Sequence, residues 1–80
     1  MKIKELEKAL LERGVRARSF SIDGAGEDEE QYRLERSGGR WWCAYYYERG
    51  NRNEVREFPS EEEACDYFLE LVLSDPTSRR

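Results

Sequence analysis

Apolar residues recur with helical spacing at both ends of the chain, and between the ends the pattern shortens to alternation. Near the start, Ile3, Leu6, Leu10 and Leu11 fall on one side of a helix, with Lys2, Lys4, Glu5, Lys8 and Glu12 on the other. Arg13 and Gly14 supply a basic last turn and a left-handed position after it, and Val15 is the hydrophobic residue expected to close that end. Near the other end, Ser60 followed by Glu63 is a capping pattern, and Glu61, Glu62 and Glu63 place carboxylates where the helix dipole favours them. Ala64, Tyr67, Phe68 and Leu71 then make an apolar face, widened by Leu69, Val72 and Leu73. Pro76 stops that helix, and 76–80 is expected to be a disordered tail.

Between the helices the period is two. Tyr32 and Leu34 oppose Arg33 and Glu35 in a clear strand, "SGGR" is a hairpin turn, "WWCAYYYE" is a second strand, and "NEVREF" is a third that ends at Pro59. Phe20 and Ile22 leave room for a short extra edge strand within 16–22, and Asp23 to Glu30 reads as an acidic loop. The expected fold is α+β, in the order α-β-β-β-α. It is an antiparallel meander with both helices packed on one face, in a single domain spanning residues 1–75.

The second strand departs from simple alternation, because Trp41, Trp42, Tyr45, Tyr46 and Tyr47 are aromatic on both parities. A two-residue Gly-Gly turn would send Trp41, Cys43, Tyr45 and Tyr47 to the core. A three-residue loop, Gly38 to Arg40, would pair Leu34 with Ala44 and send Trp42, Ala44 and Tyr46 there instead. The following hairpin, with Gly50-Asn51 as its tight turn, places Tyr46 opposite Val55, and the small Ala44 suits a position beneath a helix. The second register is therefore expected. It leaves Trp41, Cys43, Tyr45 and Tyr47 on the face away from the helices, with Arg33 and Arg56 flanking Tyr45 and with Glu35 and Glu54 nearby. Such a strip suits a protein interface, where Tyr, Trp and Arg are enriched. Arginines stacked on the tyrosines would equally cover them without any partner.

Eighty residues allow one small domain with a thin core. The net charge of −4 weighs against a phosphate backbone as partner and favours a basic protein. There is no histidine, and the two cysteines lie far apart in sequence, so neither a catalytic base, a metal site nor a cofactor is expected. No apolar run approaches the length of a membrane span and the charged N-terminus is unlike a signal peptide, which makes the cytoplasm the expected compartment. The helix–meander–helix order is shared with double-stranded-RNA-binding domains. Here, however, "SEEEACDYF" sets three glutamates where lysines would grip phosphate. An aromatic sheet face could stack single-stranded bases instead, with Arg33, Arg40, Arg49, Arg52 and Arg56 nearby.

"FSIDG", followed by "ERGNRNEVREFPSEEEACDYFLELV", resembles a type of small bacterial immunity protein found beside polymorphic-toxin genes, most strongly from Glu48 to Val72. The resemblance implies a cytoplasmic antidote without catalytic activity that binds and blocks a cognate toxin. Joined to the residue pattern, it makes Trp41, Tyr45 and Tyr47 the expected anchors, bordered by Arg33 and Arg56. Glu27, Asp28, Glu29 and Glu30 would steer a basic toxin domain. The competing expectation is a homodimer through the same aromatic strip, with Arg33, Glu35, Glu54 and Arg56 making it self-complementary.

Overall fold

The computed structural model describes residues 1–24, 30–37 and 41–75. Helix α1 (Ile3–Glu12) is followed by a 3-10 turn (Ala17–Ser19) and strands β1 (Phe20–Ile22), β2 (Glu30–Ser37), β3 (Trp41–Glu48) and β4 (Asn51–Phe58), and α2 (Glu61–Leu73) ends the fold. The four strands form one sheet in the order β1-β2-β3-β4. The β2-β3-β4 meander is antiparallel, as the alternation predicted. The optional edge strand is present, but β1 runs parallel to β2, with Phe20 beside Tyr32 and Ile22 beside Leu34. The class is α+β.

Both helices cover the same face. Leu6 and Leu10 of α1 and Ala64, Cys65, Phe68 and Val72 of α2 pack with Val15, Phe20, Leu34, Trp42 and Ala44 in one cluster. The buried stripe of α2 is rotated from the expected one, toward Cys65 and Val72, and leaves Tyr67 and Leu71 half-buried. Leu11, expected in the core, is half-exposed instead, because a stripe through Leu6 and Leu10 already faces α2 and the sheet.

The helix ends follow from their sequences. The Val15 N–H donates to the Leu10 carbonyl at 3.0 Å and the Gly14 N–H to the Leu11 carbonyl at 3.1 Å, with Gly14 at φ +86°. That is a Schellman closure, which only glycine adopts without strain. Ser60 Oγ accepts the Glu63 N–H at 3.1 Å. Glu61, in the first turn of α2, reaches across to accept the Ile3 N–H at 2.9 Å. One carboxylate thereby satisfies an orphan donor of α1 while sitting at the positive end of α2.

Leu34 pairs with Ala44, the register predicted for a three-residue connection, although 38–40 themselves lie outside the described residues. The second hairpin differs from expectation. Its tight turn is Arg49-Gly50, with φ of +47° and +90°, and Glu48 pairs with Asn51. Two positive φ values in a row match the twist of antiparallel strands, and Gly at the second position makes this turn easier than Gly50-Asn51. Tyr46 consequently faces Asn53, not Val55. A bulge follows, in which Glu54 and Val55 together oppose Tyr45 before Arg56 pairs with Ala44, and Glu54 has φ +54°. Val55 is left half-exposed on the edge strand.

Phe68→Ala is expected to cost about 3–5 kcal/mol, since the ring is fully enclosed. Val55→Ala should stay within about 0.5 kcal/mol. Urea unfolding midpoints of the two variants check the contrast.

Candidate functional site

The face of the sheet opposite the helices collects Gln31, Arg33 and Glu35 from β2, Trp41, Cys43, Tyr45 and Tyr47 from β3, and Arg52 and Glu57 from β4. The registers pair Gln31 with Tyr47, Arg33 with Tyr45, Glu35 with Cys43, Arg52 with Tyr47 and Glu57 with Cys43. Alternation along the strands puts all of these side chains on one side.

Most of this face is closed by its own side chains. The Arg33 guanidinium carbon lies 3.7 Å from the centre of the Tyr47 ring, and that of Arg52 lies 4.9 Å from the centre of Tyr45. Arg33 Nε donates to Gln31 Oε1 at 3.2 Å. The buried Gln31 amide donates in turn to the Arg18 carbonyl at 3.1 Å and the Phe20 carbonyl at 3.4 Å, which ties β1 to the meander. Arg52 Nη2 reaches Glu35 Oε1 at 3.5 Å. Under this cover Tyr45 retains 1% exposure, although no helix lies above it. Burial raises its phenol pKa, the Glu35 carboxylate adds to the rise, and a hydrogen bond from Arg33 partly offsets it.

Cys43 lies beside it and is also buried. Loss of solvent raises its thiol pKa first and the Glu57 charge second. Cys65 is in the core on the other side of the sheet, and both thiols are free. Trp41 stands apart, with 47% of its surface open to solvent at the start of β3.

The predicted site residues therefore divide. Trp41, Tyr47 and Arg33 lie on the expected face, Trp41 exposed and Tyr47 half-buried beneath Arg33. Tyr45 is on that face but enclosed, and thus unavailable as an exposed anchor. Arg56 is on the opposite side, paired with Ala44 and 6.0 Å from the centre of the Tyr67 ring, because the bulge moved it one position. Glu30 opens β2 and forms an exposed ion pair with Arg49 at 3.8 Å. Glu27, Asp28 and Glu29 lie outside the described residues. Arg52 takes the place assigned to Arg56. The Gly at position 50, read as the second turn residue, was the signal that would have found it.

On the helix side, the Tyr32 ring packs against Tyr46, tilted by 55° with 4.7 Å between centres, and the Tyr32 hydroxyl donates to Asp75 Oδ2 at 2.9 Å. Burial, then the Asp75 carboxylate, pushes the Tyr32 phenol pKa well up. Among the described residues no group of three or more His, Cys, Asp or Glu side chains is placed to hold a metal ion. A shallow surface depression has its described lining on α1 alone, at Lys4, Glu7, Lys8, Leu11 and Glu12. That lining brings no pair of catalytic groups together from different elements. Compared with protein-family models, curated proteins and solved structures, the chain has no match.

The thiols set an alkaline limit to stability. Burial, followed by the Glu61 charge, raises the Cys65 pKa from 9.0 to about 11. A raised folded-state pKa contributes stability that is complete below the unfolded value and is lost as pH climbs through the folded one. The unfolding temperature is expected to fall between pH 9.0 and about 11, and Cys65→Ala to flatten part of that slope. Calorimetric scans across this window check both.

Proposed function

We propose that the protein is a non-enzymatic binding module that meets another protein on the outer face of its sheet, with Trp41 as anchor at one end of β3 and with Arg33, Tyr47 and Arg52 toward its other end. The observation that carries this reading is the contrast on one strand: Tyr45 is fully covered from within, whereas Trp41 keeps 47% of its surface exposed on the same face. A large aromatic left open beside a rigid, charge-rimmed surface has the composition of an interface hot spot.

A basic partner suits the net charge of −4. The resemblance to immunity proteins supports the narrower reading, a cytoplasmic antidote that occludes a toxin domain. Among the described residues no helix is long and apolar enough to cross a membrane.

The other readings fit less well. A homodimer centred on Tyr45 loses its anchor, because that ring is enclosed. Stacking of single-stranded bases requires free ring faces, and Arg33 and Arg52 already lie over Tyr47 and Tyr45.

Co-expression with a toxin-like domain encoded beside the gene is expected to restore growth and yield a stable complex. Trp41→Ala should weaken that complex by at least about 2 kcal/mol, the scale of a hot-spot residue, with unchanged folding. Wild-type affinity in that variant, measured by titration calorimetry, would remove Trp41 from the interface. Failure of the wild-type protein to protect would refute the antidote reading.

A further inference from the structure

Strand β4 is the free edge of the sheet opposite β1. Three ion pairs join neighbouring elements of the sheet and its loops: Arg36 with Asp23, Arg49 with Glu30, and Glu35 with Arg52 of β4 itself. Among the described residues Glu54, Arg56 and Glu57 are in no ion pair, and all three are exposed.

The bulge gives this strand a hidden symmetry. Glu54 and Val55 together occupy one position, opposite Tyr45. Counted outward from that position, Asn53 and Arg56 are equidistant and both lie on the helix side, paired with Tyr46 and Ala44. Arg52 and Glu57 come next, both on the outer side, paired with Tyr47 and Cys43. Asn51 and Phe58 follow, again sharing a side.

We propose that β4 pairs antiparallel with β4 of a second copy of this chain, the bulge lying on the two-fold axis, to make a continuous eight-stranded sheet. This interface uses the edge of β4 and not the Trp41 ring, but it shares Arg52, which also lies over Tyr45 and reaches Glu35, with the outer face. Across the axis each Arg52 meets the other copy's Glu57, so the register supplies two opposite-charge cross-strand pairs on the outer side. On the helix side each Arg56 meets the other copy's Asn53, a donor against an amide oxygen.

A second copy suits the strand better than an unrelated one, because complementarity here is of the strand with itself reversed. A register shifted by one position would break the Arg52–Glu57 pairing and bring residues of opposite sides together. Bulges ordinarily guard an edge against open-ended pairing. On the axis, the bulge confines the ladder to a short stretch on either side. The contact is also closed, since the outer edges of the double sheet would be the three-residue β1 strands.

Sedimentation of the pure full-length protein across a wide concentration range tests this. A reversible dimer is expected. Glu57→Arg sets two like-charged pairs across the axis, as does Arg52→Glu. Each variant alone should dissociate with a constant raised at least about tenfold. An equimolar mixture of the two variants recreates both opposite-charge pairs and should restore the dimer. A wild-type protein monomeric at every concentration would overturn the proposal. So would single variants that dimerise like the wild type, or a mixture that stays monomeric while each variant keeps its native circular dichroism.

Discussion

Strand β3 must be covered on both faces, although helices lie on only one of them. Its aromatic residues occupy both parities, so no register of an antiparallel sheet could bury them all beneath α1 and α2. The chain meets this constraint asymmetrically. Trp42 and Ala44 go under the helices with Leu34 and Phe68, while Tyr45 and Tyr47 are roofed by Arg52 and Arg33 from the flanking strands. A guanidinium over a ring replaces the water it excludes, and its other donors remain available to Glu35 and Gln31. Charged residues make up 40% of the chain, and some of them thus serve as the second layer of a thin protein.

Other features follow from this arrangement. Arg52 can lie over Tyr45 only because the Arg49-Gly50 turn starts β4 one residue early, and the bulge at Glu54 and Val55 then absorbs the extra residue. The bulge turns Arg56 to the helix side, toward Tyr67, and keeps Phe58 beside Trp42, where it stacks on Tyr67 at 5.0 Å. Gln31 links the same layer to β1 through backbone carbonyls. Turn, bulge and roof therefore act as one unit. Since the roof stops short of Trp41, the same economy leaves the ring on which the binding reading rests.

Much of this was legible in the residues. Both helices, with the Schellman end at Gly14 and the cap at Ser60, came from local chemistry that tertiary context did not overrule. The β2–β3 register came out as expected on two grounds, of which the small size of Ala44 held and the Gly50-Asn51 turn opposite Val55 did not. Two features were not legible and a third was left undecided, each for a physical reason. The parallel pairing of β1 is a long-range choice that a three-residue segment does not encode. The bulge depended on which two of four turn residues took positive φ, and Arg49 is an unobvious occupant of that region. The burial of Tyr45 matches one of two readings that stayed open, cover by stacked arginines or exposure to a partner, because alternation assigns a side chain to a face and does not say what neighbouring side chains lie over it. The same gap separated the expected strip of anchors from the single exposed Trp41.

The arginine roof closes the outer face, and the shortest contact in it is Arg33 over Tyr47 at 3.7 Å. A double-mutant cycle with Arg33→Met, Tyr47→Leu and the pair, read by urea unfolding, measures that contact directly. A favourable coupling of about 0.5–1 kcal/mol is expected, diminished little by added salt because the ring and the guanidinium carbon are in contact. Strictly additive effects would contradict it, and would mean that the outer face is held closed by something other than its arginines.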